Sequence, residues 1–195
     1  AKNELILLSD ADCYPISSQW VDRMSQSFTT STSIVLGASL YEEKNSLLNQ
    51  FIRFETLQTA LLYLSFAFKH KAYMGVGRNL AYRKSFFLAN GGFEAFKSVT
   101  GGDDDLWVNR YTNQYNTKVC SHPESIIFST PKEDWQSFFK QKTRHLSVGR
   151  YYKLKDKVTL GLFHLTQTLM WVLIIFGSLL GSPTDCLLLH LLFLM

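Results

Sequence analysis

Two hydrophobic rhythms alternate along this chain, one strand-like and one helical, and their order predicts an α/β fold followed by an apolar tail. Leu5-Ile6-Leu7-Leu8 is an unbroken branched run near the start, the pattern of a buried strand in an open α/β sheet. Pro15 and Ser17-Ser18 then predict a turn and a helix cap, after which Trp20, Val21, Met24 and Phe28 recur at helical spacing. Residues 33–40 predict another short strand. From residue 43 to about 69 the pattern is helical, with Leu47, Leu48, Phe51, Phe54, Leu57, Leu61, Leu62 and Leu64 crowding one broad face. That face is expected to lie in the core. Residues 60–68 carry no charge, so contact with a membrane surface is the other reading.

Residues 73–82 return to extended character, and Gly75 and Gly77 mark places where backbone can approach a ligand closely. A short helix over 86–89 is stopped by Asn90-Gly91-Gly92. Gly101-Gly102-Asp103-Asp104-Asp105 opens a further helix running through Leu106, Trp107 and Arg110; acidic residues suit a helix N-terminus whether or not they do chemistry. Residues 118–120 and 125–128 predict strands flanking His122-Pro123. Thr130-Pro131-Lys132-Glu133 has the form of a capping box with Pro at the first helical position. The helix it opens is expected to turn Trp135, Phe138 and Phe139 inward.

Composition sharpens this picture at the C-terminal end. Of 195 residues 46% are hydrophobic, but the apolar content is concentrated: residues 158–180 carry no charge and exceed the roughly 20 residues needed to cross a bilayer. A polar turn, Gly181-Ser182-Pro183-Thr184-Asp185, precedes a second apolar stretch from Cys186 to Met195. The expected organisation is a soluble domain over 1–152, a transmembrane helix over 158–180, and the start of a second such helix over 186–195. Both ends are expected to be cuts through a longer chain. The net charge is +4, and Arg150, Lys153, Lys155 and Lys157 stand directly before the apolar span with only Asp156 against them. By the positive-inside rule this predicts an integral membrane protein with its soluble domain on the cytoplasmic side, although a snorkelling collar has the same composition. Cys13, Cys120 and Cys186 lack metal-site spacing and are expected to be reduced, mostly buried thiols.

The candidate chemistry begins at Asp10-Ala11-Asp12, at the end of the first apolar run. In open α/β sheets ligands bind beyond the carboxyl ends of the strands. Two carboxylates one residue apart there make a hard, oxygen-rich site suited to Mg2+ or Mn2+ bridging phosphate oxygens; a solvated turn has the same letters.

Taken in order, four short segments resemble the membrane-associated family 2 glycosyltransferases, the group of cellulose, chitin and hyaluronan synthases and ceramide glucosyltransferase. They are the strand ending in Asp10-Ala11-Asp12, then Gly77-Arg78-Asn79-Leu80-Ala81-Tyr82-Arg83 leading to Gly91-Gly92-Phe93, then Gly102-Asp103-Asp104-Asp105-Leu106, and Gln141-Lys142-Thr143-Arg144-His145 before an apolar span. The resemblance covers residues 4–180. It implies a GT-A-like α/β fold (a mixed sheet with flanking helices) whose nucleotide-binding half, about 90 residues at ~30 per βαβ unit, would precede Ala1. It also implies inverting transfer of a sugar from a nucleotide-diphosphate donor to a lipid or saccharide acceptor at the membrane, with Mg2+ or Mn2+ as cofactor. No nucleic-acid partner is expected.

The same resemblance assigns roles. Asp12 would be the direct metal ligand, with Asp10 on the metal or on the donor's ribose side, and Asp104 would be the base, or Asp103 if the alignment is anchored on Leu106. Asp105 would orient the loop. Arg78 and Asn79 would face the donor diphosphate or sugar, and Gln141 and Arg144 would line the site, Arg144 suiting bidentate phosphate contact. His145 stands where the family has Trp, which weakens the implication of processive synthesis; it would touch phosphate or acceptor, or simply pack. Two other readings compete. A haloacid-dehalogenase-like phosphatase also places Asp-x-Asp after a buried strand, but wants Thr or Val where Tyr14 stands. A membrane-anchored nucleotide-sugar binder without turnover would carry the same carboxylates.

Overall fold

The computed structural model describes residues 2–99 and 101–179. The expected polar turn over 181–185 and the second apolar stretch over 186–195 lie outside them. The chain divides into two compact units, Ala1–Tyr152 and Lys153–Met195.

The first unit is a mixed α/β structure with two small sheets. Strands β1 (Leu5–Leu8), β3 (Ile34–Gly37), β5 (Leu80–Arg83) and β6 (Thr117–Cys120) form one sheet in the order β1-β5-β3-β6. Within it β3 and β6 run parallel while β5 is antiparallel to both of its neighbours. Strands β2 (Cys13–Pro15), β4 (Ser39–Tyr41) and β7 (Ile127–Ser129) form a second sheet in the order β2-β7-β4. Helices α1 (Trp20–Gln26), α2 (Leu47–Phe68), α3 (Lys84–Ala89), α4 (Asp103–Tyr111) and α5 (Trp135–Val148) surround them.

Several elements depart from the sequence reading, each for a local reason. The opening run is an edge strand, half-buried rather than buried, because it pairs on one side with β5. The expected strand over 33–40 is two strands that diverge into different sheets at Ala38. The turn expected after Asp12 contains a strand, β2, whose Cys13 faces Ser129 in register. The expected capping box does not start a helix: Thr130 N–H donates to the Asp12 carbonyl (3.3 Å), extending the β2–β7 pairing. The helix begins later, where Asp134 caps α5 by accepting from Ser137 N–H at 2.8 Å.

The core is laid along β3 and β5. Met24, Val35, Ala81 and Cys120 form one buried cluster, with Leu7, Trp20 and Phe28 packed on it. Trp107, fully buried on α4, makes tilted contacts with Tyr82, Phe87 and Tyr111 and an edge contact with Phe86. Each such side chain contributes roughly 1.5–3 kcal/mol through burial, which anchors the first turn of α4 against β5.

The face of α2 is a correction. Its buried stripe is Leu48, Ile52, Thr56, Ala60, Tyr63 and Ala67, while Leu47 (80% exposed), Phe51, Phe54, Leu57 and Leu61 point outwards. Of the three aromatics of α5 expected inside, Phe138 is buried, while Trp135 and Phe139 are exposed. Phe51 meets Trp135 at 5.7 Å, and Trp135 stacks on Phe139 at 5.8 Å, so the outward aromatics of the two helices form one patch.

The second unit contains α6 (Leu154–Leu179). Residues Leu154–Gly177 are long and apolar enough to cross a membrane, and none of that stretch is buried within the structure.

Candidate active site

Asp10 and Asp12 leave β1 on a tight turn closed by Cys13 N–H donating to the Asp10 carbonyl (3.1 Å). Both aspartates are exposed and Cys13 is half-buried; one ligand atom from each lies within 4.8 Å of the others. Two carboxylates and a thiol at that spacing match the donor chemistry of a divalent cation. The sulfur is 3.6 Å from Asp12 Oδ1 and 2.9 Å from Ser129 Oγ. Burial is the leading cause of a raised Cys13 pKa, opposed by the Ser129 hydrogen bond. Cys13 and Cys120 are both free thiols, as expected; Cys120 is buried, whereas Cys13 is half-buried and stands beside the carboxylates.

The second acidic group starts α4. Gly102, at φ 81°, holds the left-handed conformation that a Gly adopts without strain, and the three aspartates occupy the first helical turn. They face different surroundings. Asp104 Oδ2 accepts a hydrogen bond from Gly77 N–H. A side chain at position 77 would collide with that carboxylate, so the close approach foreseen for this glycine is to Asp104 itself. Burial raises the Asp104 pKa, with the charges of Asp103 and Asp10 adding to it and two backbone N–H groups opposing. Asp10 and Asp104 are therefore within electrostatic reach of each other. Asp103 instead acts on the Tyr82 hydroxyl. Asp105 has different surroundings: Tyr152 donates its hydroxyl to Oδ2, and burial pushes the carboxyl well above the usual range against the opposing hydrogen bonds from Tyr152 and the Gly75 N–H.

Between the acidic groups stands Arg78, on the 3-10 turn Gly77–Asn79. Its Nη1 donates to Ser129 Oγ (2.9 Å), its guanidinium lies 4.8 Å from the centre of the Tyr41 ring, and its charge is felt by both Cys13 and His145. Asn79, expected on the donor, is buried and spent within the fold. Its amide donates to the Ala38 and Ser125 carbonyls (2.7 and 2.8 Å) and accepts from the Trp20 indole at 3.0 Å. Gly37 leaves room for that amide, since a methyl group there would overlap it.

Helix α5 supplies the remaining candidates. Gln141 is half-buried, and the Arg144 stem rests against Gly101, where an added methyl would lie 3.4 Å from Arg144 Cδ. Arg144 Nη2 is 3.5 Å from His145 Nε2. Desolvation first, and then the charges of Lys142, Arg144 and Arg78, push the His145 pKa down to about 4, so the ring is neutral at neutral pH. Lys142 itself pairs with Glu55 of α2. Asp10, Asp12, Asp104, Arg78 and His145 are thus linked in one region. Three contributors escaped the sequence reading: Cys13, Ser129 and Tyr152. For Cys13 the signal was its adjacency to Asp12; the other two act through partners remote in the chain.

Residues 5–195 match the family described as glycosyl transferase family group 2. No curated protein matches the chain. Among solved structures it is similar to the mannosyltransferase PcManGT from Pyrobaculum calidifontis, in complex with GDP-Man and Mn2+, with a TM-score of 0.53 and 15% identity. That similarity covers 100% of this chain and 56% of the mannosyltransferase, so the chain spans little more than half of its neighbour's length. The neighbour identifies the two-sheet architecture as GT-A-like, and the family match covers every candidate residue. The chain belongs to the glycosyl transferase family group 2.

Proposed function

We propose that the chain carries the acceptor-side face of an inverting, membrane-associated glycosyltransferase. It would move a sugar from a nucleotide-diphosphate donor to a hydroxyl of a lipid or saccharide acceptor. The observation that carries this reading is the Gly77 N–H fixed on Asp104, a carboxylate at which the charge of Asp10 is also felt. One carboxylate pair then grips the phosphate end of the donor while another carboxylate meets the incoming hydroxyl.

Asp10 and Asp12 would hold Mg2+ or Mn2+, which supplies positive charge to the departing diphosphate. Asp104 is the base: its raised pKa makes it a better proton acceptor than an ordinary aspartate, and the Gly77 N–H fixes the direction of its carboxylate. Arg78 and Arg144 are the fixed cations able to face phosphate oxygens. Neutral His145 can give or accept a hydrogen bond without adding charge. Asp103, whose carboxylate has no such backbone N–H among the described residues, is the weaker choice of base.

Membrane association is supported by the apolar span and by the exposed aromatics of α2 and α5. The basic run Arg150, Lys153, Lys155 and Lys157 supports a cytoplasmic placement of residues 1–152.

The test is release of nucleoside diphosphate by the full-length protein in detergent or nanodiscs, across a panel of nucleotide sugars. The expected result is release with Mg2+ or Mn2+ and none with chelator. Asp104→Asn is expected to lower kcat by about 10²–10⁴-fold, the usual worth of a general base, while donor affinity is unchanged. Unchanged release by Asp104→Asn would remove the base assignment. Donor binding with no turnover in the native protein would favour a non-catalytic binder.

A further inference from the structure

We propose that Cys13 is a third protein donor to the divalent-cation site, and that its sulfur shifts the site's preference from Mg2+ towards thiophilic ions. The proposal rests on the cation reading of Asp10 and Asp12 above and goes beyond it in naming a soft ligand.

Three features of the structure carry it. The first is spacing. Metal–oxygen bonds of about 2.0–2.2 Å and metal–sulfur bonds of about 2.3 Å allow two ligands of one ion to lie up to roughly 4.5 Å apart. Cys13 Sγ is 3.6 Å from Asp12 Oδ1, and the three donor atoms lie within 4.8 Å of one another. A small side-chain adjustment brings all three onto one ion.

The second is orientation. Cys13 is paired with Ser129 in the β2–β7 register, which fixes its backbone. Ser129 Oγ accepts from Arg78 Nη1 at 2.9 Å, which leaves the Ser129 hydroxyl proton free to point at the sulfur 2.9 Å away. Partners of this kind behind a ligand hold its direction and tune its basicity. The third is access. Cys13 is half-buried beside two exposed carboxylates, so an ion reaches it from the same side.

Coordination is an acid–base step without redox change. The thiol S–H bond breaks, its proton passes to solvent, and the sulfur lone pair forms the bond to the ion. Mg2+ gains little from sulfur, whereas Co2+, Zn2+ and Cd2+ gain much. Mn2+ falls between.

The experiment uses the full chain in detergent, titrated separately with Co2+, Cd2+ and Mg2+, with absorbance and calorimetry as readouts and no activity needed. Native protein is expected to show a sulfur-to-cobalt charge-transfer band in the near ultraviolet that is lost in Cys13→Ser. The same variant should weaken Cd2+ binding by about tenfold or more and leave Mg2+ binding within about twofold. Asp12→Ala should weaken all three ions. Cobalt binding that depends on Asp12 but shows no sulfur band would overturn the proposal and leave the glycosyltransferase reading standing. An equal loss of Mg2+ and Cd2+ affinity in Cys13→Ser would overturn it as well. Absence of any divalent binding would end both.

Discussion

Of the three aspartates that open α4, Asp105 has the most deeply buried carboxylate, with the Tyr152 hydroxyl on one of its oxygens. Burial raises its folded pKa well above the ordinary 3.8. A group whose folded pKa is raised binds its proton more tightly in the folded chain. Its contribution is therefore intact below about pH 4 and is lost as pH climbs through the raised value. Asp105→Asn keeps an acceptor for Tyr152 and removes the charge. The variant is expected to melt higher than the native chain at pH 7–8, by roughly 2–4 °C per kcal/mol recovered, with the difference closing towards pH 4. Thermal unfolding across that pH range checks it, and a constant difference at every pH would show that charge burial is not the cause. The contrast among neighbours also shows what sequence reading reaches at this scale. The positions of Asp10, Asp12, Asp103 and Asp104 at element ends were legible, because carboxylates there stand out from the apolar runs they border. The role of Asn79 was not, since its partner Trp20 is 59 positions away; nor was that of Ser129, 116 positions from Cys13. Hydrogen-bond pairing at such separations is set by register, and register leaves no local trace.

At the scale of elements, helical periodicity identified α2 but chose the wrong face. The helix carries two apolar stripes, and the buried one includes Asn49, Thr56 and Tyr63. Those polar side chains pack because each has something to do: the Tyr63 hydroxyl donates to the Gly37 carbonyl at 2.7 Å, and Asn49 Nδ2 donates to the Glu42 carbonyl at 2.9 Å. The conspicuous leucines and phenylalanines are left for the outside, joined to Trp135 and Phe139 of α5. An apolar patch spanning two helices favours an interface, and the reading offered above assigns it to lipid. A nitroxide at Leu61→Cys in nanodiscs should then collide with dissolved oxygen severalfold more, relative to a water-soluble nickel chelate, than one at Glu94→Cys. Equal ratios at the two positions would place this face in water.

At the scale of the whole molecule, the apolar helix Leu154–Gly177 and the basic residues at its start predict an orientation that can be checked. A reporter fused after Asp185 is expected outside the cytoplasm and one fused before Ala1 inside it; both reporters on the same side would mean the helix does not cross. The order of short signals along the chain carried the GT-A-like class because each signal sits at the end of an element, where sequence punctuation is strongest. The division of the first unit into two sheets was not legible, since the short extended runs that compose them do not say which sheet they join.

The bare Cα at Gly102 has a consequence for redesign. Even a methyl group there would stand 2.5 Å from Val148 Cγ2, in the last turn of α5. The spacing between the acidic turn and the Arg144 helix is thus set by a missing side chain. Any effort to change the packing of the acidic turn against α5 must vary positions 102 and 148 as a pair.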